Sequence, residues 1–322
     1  MQKEADLRAG DLARQHAKDA AEDLKAAAKK MERVAAELDR AEDPKDALKQ
    51  AKDKIDDARD KLKEANELAE EELFRERIAK IVDQLKGLKE RQDAALGESE
   101  RLLKNVLQSK CWPRPVLFSF FDLRDSQGDL AKETSLVGEK LKGAKVFHAI
   151  LLRTVKDMND AKASIVARID KAVPRQSPYK CDDLELLDEK KSAEGTIKLQ
   201  RAAGDRLQRL IDALLPELEP PPPPDDKGGD PKGGGGDGGK QKKGGIQAQD
   251  GIPGSSQLKA LKAEQLEVNA LTKEFAERHP DFNNLNAQQQ RELNGIRGEQ
   301  ERLLDLFREM ITAAQAEGGK QQ

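Results

Sequence analysis

The chain has 322 residues, 37% of them charged, 36% hydrophobic and only 3% aromatic. So few rings cannot fill the centre of a compact enzyme of this length; the composition, rich in Ala, Glu, Lys, Leu and Arg, points to long amphipathic helices with thin seams. With 58 Lys and Arg against 61 Asp and Glu the net charge is −3, and the signs alternate, which excludes the concentrated cationic face that nucleic acid requires.

From Ala5 to Ala41 the apolar positions Leu24, Met31 and Leu38 recur seven apart, interleaved with Ala27 or Ala28 and Val34 or Ala35, which predicts a helix with a shallow heptad seam. Asp43 before Pro44 suits an N-cap followed by the first helical turn. The next helix carries Leu48, Ile55, Leu62 and Ala69, again seven apart, partnered by Ala51, Ala58 and Ala65. Two helices joined by so short a turn lie antiparallel. The second continues on a shifted stripe through Phe74, Ile78, Ile81, Leu85, Leu88 and Ala95, and Gly97-Glu98-Ser99 is expected to interrupt it before Leu102, Leu103, Val106 and Leu107.

The stretch from Cys111 to Cys181 holds the single Trp (Trp112), the single Tyr (Tyr179) and half of the Phe residues. Leu117, Phe120, Leu123, Gln127, Leu130, Thr134, Val137 and Leu141 form one stripe at steps of three and four. Phe147, Leu151, Thr154, Met158, Ala161 and Ile165 form another. Between them, Lys142-Gly143-Ala144-Lys145 marks a reversal, with Gly143 free to take positive φ. An antiparallel hairpin follows, its open end bringing Trp112 near Val173, Pro174 and Tyr179, and Cys111 near Cys181. After it, Asp182 or Asp183 caps a helix carried by Leu184, Leu187, Ile197, Gly204, Leu207, Ile211 and Leu214, with a bend or fraying expected over Glu189 to Gly195.

Residues 216–255 are Pro- and Gly-rich and cannot bury enough apolar area to offset the entropy of ordering; they read as a tether. Beyond it, Leu258, Leu261, Gln265, Val268, Thr272 and Phe275 make one stripe. Leu293, Ile296, Gln300, Leu303, Phe307, Met310 and Ala314 make a second. Phe282 and Leu285 are placed to plug the end of this pair, and Asn286 with Gln289 has the form of a capping box. Two helices of this size leave half of each seam open, so the C-terminal hairpin needs a partner: the preceding helices, a second copy, or another protein.

The chain is thus expected to be all-α, with an N-terminal long hairpin over 1–110, a central aromatic-rich hairpin and following helix over 111–215, the linker over 216–255 and a C-terminal hairpin over 256–322. No run reaches the ~18 apolar residues a membrane span requires, and Met1 to Ala20 lack the apolar core of a secretory signal. The expected location is the cytoplasm, or the cell envelope if the start is truncated.

Little in the residues suggests chemistry. His16, His148 and His279 have no metal-ligand spacing, and HExxH and CxxC are absent, so no metal and no cofactor are expected. Gly234 to Lys240 matches the spacing of a phosphate-binding loop, but Gln241 replaces its Ser or Thr and no strand precedes it. Carboxylates alternate with Lys and Arg as a solvated face. Cys111 and Cys181 are either a disulfide, which needs an oxidising compartment, or free thiols in hairpin packing. Gln127, Gln265 and Gln300 interrupt apolar stripes: Gln300 reads as a register lock and Gln265 as a wet seam edge.

Three segments, Ile81-Val82-Asp83-Gln84-Leu85-Lys86-Gly87-Leu88-Lys89-Glu90-Arg91-Gln92, Asp122-Leu123-Arg124-Asp125-Ser126-Gln127 with Asp157-Met158 downstream, and Gln257-Leu258-Lys259-Ala260-Leu261 through Phe275, resemble uncharacterised helix-rich proteins common in planctomycete bacteria. The resemblance covers residues 20 to 316 apart from the tether, and because no activity is assigned to those proteins it carries over no functional residue. Such relatives often have an export signal or a membrane anchor. The function expected is a non-enzymatic scaffold acting through helix packing, with a protein partner or self-association on the seam Leu293, Ile296, Gln300, Leu303, Phe307 and Met310. Two other classes stand beside it. A membrane-surface binder would use the same amphipathic helices, although they lack a Lys/Arg-dominated face with Trp or Phe opposite. A stress-protective chain would use the Ala/Lys/Asp/Glu-rich residues 11–70.

Overall fold

The structure is a computed structural model that describes residues 2–39, 45–172, 186–219 and 251–318. The Asp43-Pro44 cap, the Val173 to Cys181 end of the central hairpin, the Asp182 or Asp183 cap with Leu184, and the tether from 220 to 250 lie outside the described residues. Seven α-helices occupy the rest: α1 (Gln2–Asp39), α2 (Lys45–Ser109), α3 (Arg114–Lys140), α4 (Lys145–Ala172), α5 (Leu186–Leu214), α6 (Gly254–Arg278) and α7 (Ala287–Gly318), with one short 3-10 turn at Leu215–Glu217. The fold is all-α, and its described residues group into two compact units. Of the described residues, one holds 2–39, 45–79 and 217–219, the other 80–172, 186–216 and 251–318.

In the N-terminal unit α1 meets the first half of α2 on alanine. Ala20, Ala27, Ala51, Ala58 and Ala65 are buried, whereas Leu24, Met31, Leu48, Ile55 and Leu62 remain 38–52% exposed. The expected seam is therefore displaced: methyl side chains form the contact and the larger ones flank it. Alanine lets helix backbones approach closely, whereas a leucine in the same place would hold them further apart. One edge of the seam is closed by Asp23, which accepts hydrogen bonds from Lys54 Nζ at 3.0 Å and Lys61 Nζ at 2.5 Å. Both donors hold the Asp23 carboxyl below its ordinary proton affinity, Lys61 more strongly than Lys54.

The second unit is built on the central hairpin. Every residue of the two stripes read from the sequence on α3 and α4 is buried, because those stripes consist mostly of apolar groups at an uninterrupted three-four spacing. The reversal falls where expected but does not use positive φ at Gly143; Leu141 ends α3 at φ −103, and the Ala144 amide donates to the Leu141 carbonyl at 3.0 Å. Among the described residues only Lys110, just past α2, and Gly251 have positive φ.

Two expected interruptions are absent. Helix α2 runs through Gly97-Glu98-Ser99, since Ser99, Leu102 and Val106 are all buried and packing outweighs the roughly 1 kcal/mol that a helical glycine costs. Helix α5 likewise runs through Glu189 to Gly195, held by buried Glu189, Ala193, Thr196 and Gln200, while Leu187 is 66% exposed. On α7 the capping box forms as read: Asn286 Oδ1 accepts from the Gln289 amide at 2.9 Å, and Gln289 Oε1 accepts from the Asn286 amide at 2.8 Å. Phe282, half-exposed, lies 6.1 Å from the Phe275 ring at that end.

The C-terminal hairpin takes the first of its three candidate partners. Helix α6 packs on α4 and α5 of its own chain, burying Ile252, Ala260, Leu261 and Val268. Gln257 Oε1 accepts the Val146 amide at 3.4 Å, so a side chain of α6 satisfies a first-turn donor of α4 that has no partner within its own helix.

Candidate functional site

Two buried polar constellations inside the second unit stand out from a core that is otherwise mostly apolar. The first is a layer of three glutamines. Gln92 on α2, Gln127 on α3 and Gln200 on α5 are all fully buried. Gln127 Nε2 donates to Gln92 Oε1 at 2.9 Å, Gln200 Nε2 to Gln127 Oε1 at 3.0 Å, and Gln92 Nε2 to the Gln200 backbone carbonyl at 3.0 Å. The amides thus close a ring across three helices, leaving Gln200 Oε1 without a hydrogen bond. Each sits three or four residues from apolar neighbours, Gln92 between Leu88 and Ala95, and Gln200 between Thr196 and Ala203. That spacing places the amides in the seam, and only Gln127 was recognised from it.

The second constellation joins the C-terminal hairpin to the helices before it. Arg206 on α5 pairs with Asp157 on α4 and lies 3.9 Å from both Glu264 and Glu267 on α6. Arg209 donates to Glu264 at 2.8 Å and to Glu267 at 2.5 Å. Arg153 on α4 donates to Glu299 on α7 at 2.5 Å and lies 3.8 Å from Glu264. Arg302 reaches Glu299 at 2.7 Å. The pairs 153/157, 206/209, 264/267 and 299/302 are three or four residues apart, so each helix presents both of its members on one face.

Glu264, 1% exposed, is the hub: three guanidinium groups surround one carboxylate. Burial, and then the neighbouring Arg206, pushes the proton affinity of Arg153 down, yet a guanidinium stays charged at any physiological pH. Glu264 Oε2 and the Nε atoms of Arg206 and Arg302 are buried without a hydrogen bond. This is a charge-balanced joint that fixes register, since stripping one member leaves the others desolvated.

A third polar contact closes the end of the central hairpin. Arg168 donates from Nε and from a terminal nitrogen to Glu189 Oε1, at 3.1 and 2.6 Å. Its guanidinium lies 4.5 Å from the Phe120 ring centre and 5.6 Å from that of Trp112, and these two rings stack at 4.3 Å. Cys111 is partly exposed beside Trp112, whereas Cys181 lies outside the described residues.

The residues of the C-terminal seam divide by depth. Leu303 is buried, Leu293, Ile296 and Met310 are half-buried, and Gln300 and Phe307 are exposed. Gln300 and Gln265 exchange two hydrogen bonds, at 2.8 and 3.1 Å, across α6 and α7. Both are therefore satisfied inside the chain. The three histidines lie apart. His16 is 3.6 Å from Glu64, His148 Nδ1 is 2.9 Å from the Gly138 carbonyl, and His279 packs 4.8 Å from Phe275. Among the described residues no group of His, Cys, Asp and Glu is placed to hold a metal ion, and no helix is long and apolar enough to cross a membrane. A shallow groove of about 370 Å³ runs along α2 and α5, lined by Glu100, Leu103, Lys104, Leu107, Gln108 and Ile197.

Set against protein-family models, curated proteins and solved structures, the chain matches none. What the site can do must therefore be argued from its groups. Most of the buried ions and amides pair with one another, and a set of large apolar side chains is left exposed, mostly along helices.

Proposed function

We propose that this protein is a non-enzymatic helical scaffold that binds other proteins through exposed helix faces. The observation that carries the reading is a ridge on α7. Leu304, Phe307 and Ile311 follow the three-four spacing of a helix face and stay 41–44% exposed, although α6, its hairpin mate, is docked on its own chain. Rows of this kind are what a second helix covers. The paired state of the buried ions supports the reading further, since their charges are committed to holding the C-terminal hairpin in place.

The cytoplasmic location expected from the sequence goes with this proposal. The test is affinity purification from the native host with full-length protein, with Phe307→Glu and with residues 256–322 removed, read by quantitative mass spectrometry. A partner retained by the full chain and lost from both variants is expected. Identical partner sets for all three would sink the scaffold reading.

A further inference from the structure

The N-terminal unit offers a second, differently charged surface. A helix turns about 100° per residue, so Leu24 and Met31 lie roughly 30–50° to one side of the Ala20 and Ala27 line. Asp23 lies about as far to the other side. About the line of Ala51, Ala58 and Ala65, Leu48, Ile55 and Leu62 are likewise separated from Lys54 and Lys61. Because Asp23 bonds both lysines, the ion pairs share one edge of the seam and the five large apolar chains share the other. The result is an apolar strip made by Leu24 and Met31 on α1 and by Leu48, Ile55 and Leu62 on α2, lying over alanines that are themselves buried.

The shoulders of that strip are mostly basic. Lys52, Arg59 and Lys63 border it on α2 and Lys25 on α1; all are exposed, and among the described residues none of the four is in an ion pair. Glu32 and Asp56 are the acidic residues among them. A second copy laid face to face would set Lys52 and Arg59 against their own kind, which opposes self-association. A bilayer-surface helix favours bulky rings on its apolar face, and this strip carries none.

We propose that the strip receives one amphipathic helix of a partner protein, with Leu, Ile or Met at i, i+3 or i+4, and i+7 packing on Leu24, Met31, Leu48, Ile55 and Leu62 and Asp or Glu along its flanks. The inference rests on the scaffold reading above and names the chemistry of the partner. Leu48 to Leu62 spans roughly 20 Å of helix, so about four turns of partner are covered.

The experiment uses the full-length chain and two fluorescein-labelled peptides of about 21 residues, identical on a leucine face but flanked by Glu in one and Lys in the other. A third arm uses vesicles of equimolar phosphatidylglycerol and phosphatidylcholine. Saturable binding of the Glu-flanked peptide, at least about tenfold tighter than the Lys-flanked one, is expected. The triple variant Lys52→Glu, Arg59→Glu, Lys63→Glu should invert that preference, while Ile55→Glu should weaken both peptides by about tenfold or more. All four substituted positions are exposed, so circular dichroism should show unchanged helicity, and if Ile55→Glu unfolds the hairpin the charge-reversal variant decides alone. Equal affinity for the two peptides, no binding of either, an order unchanged by charge reversal, or binding of vesicles without peptide would each overturn the proposal. None of these outcomes touches the dependence on residues 256–322, so the two readings fail separately.

Discussion

The three glutamines illustrate how a polar group survives in an apolar seam: their amides bond one another and, for Gln92, a backbone carbonyl, and the helices are held in the register that allows it. Removing one member is costly because the others stay buried. Gln127→Leu leaves Gln92 Oε1 and Gln200 Nε2 without partners and is expected to lower stability by about 1–3 kcal/mol in urea denaturation. Replacing Gln92, Gln127 and Gln200 together by Leu should restore it to within roughly 1 kcal/mol of the parent, since leucine has a similar volume and no amide is then stranded. A triple variant no more stable than the single one would show that the amides contribute more than mutual satisfaction. The layer was legible in outline, because an amide at the core spacing of a stripe is an oddity a reader can see at Gln127. Gln92 and Gln200 passed unnoticed because their stripes are shallower, with Ala95, Thr196 and Ala203 as neighbours. The joint around Glu264 was not legible at all, since in a chain where charges of both signs alternate on every helix nothing local distinguishes the few that become buried.

At the scale of the element, the two hairpins teach opposite lessons. In α3 and α4 the bulky residues carry most of the apolar area, so they must face inward and periodicity alone locates them. In α1 and α2 the bulky residues are also seven apart, yet the alanines beside them take the contact, because close backbone approach and larger side chains in the seam are alternatives that spacing does not distinguish. A pair of substitutions separates them. Ala58→Leu should overpack the seam and destabilise the N-terminal unit by about 1–3 kcal/mol, whereas Leu62→Ala, at a half-exposed flank, should cost under about 1 kcal/mol. Hydrogen exchange of α1 reads both. The reverse order of effects would restore the leucine seam. Glycine was equally misleading within α2 and α5, where burial on both sides of Gly97 and Gly195 outweighs a preference worth no more than about 1 kcal/mol.

Across the molecule, paired charges in both units fix the sign of the response to acid. Hydrogen bonds from lysine or arginine hold the carboxyl groups of Asp23, Glu133 and Glu292 below their ordinary proton affinity, through Lys61 and Lys54, Arg91 and Arg278 respectively. The unfolded chain therefore binds more protons than the native one as acid is added. Their contribution is complete above the ordinary carboxylate range near pH 4 and disappears as the pH falls through the lower native values. The thermal midpoint should be flat from about pH 6 to 8 and fall on acidification to about pH 3; Lys61→Met should reduce that fall for α1 and α2, because Asp23 then titrates nearer its ordinary value. A midpoint that rises in acid would contradict this account.

The amide ring has a consequence for how the protein can change over generations. A solitary substitution at any of its three positions strands its neighbours, while the harmless all-leucine alternative lies three steps away through damaged intermediates. If the predicted stabilities hold, single steps lead out of such a layer only through weakened chains, whether or not it benefits the organism that carries it.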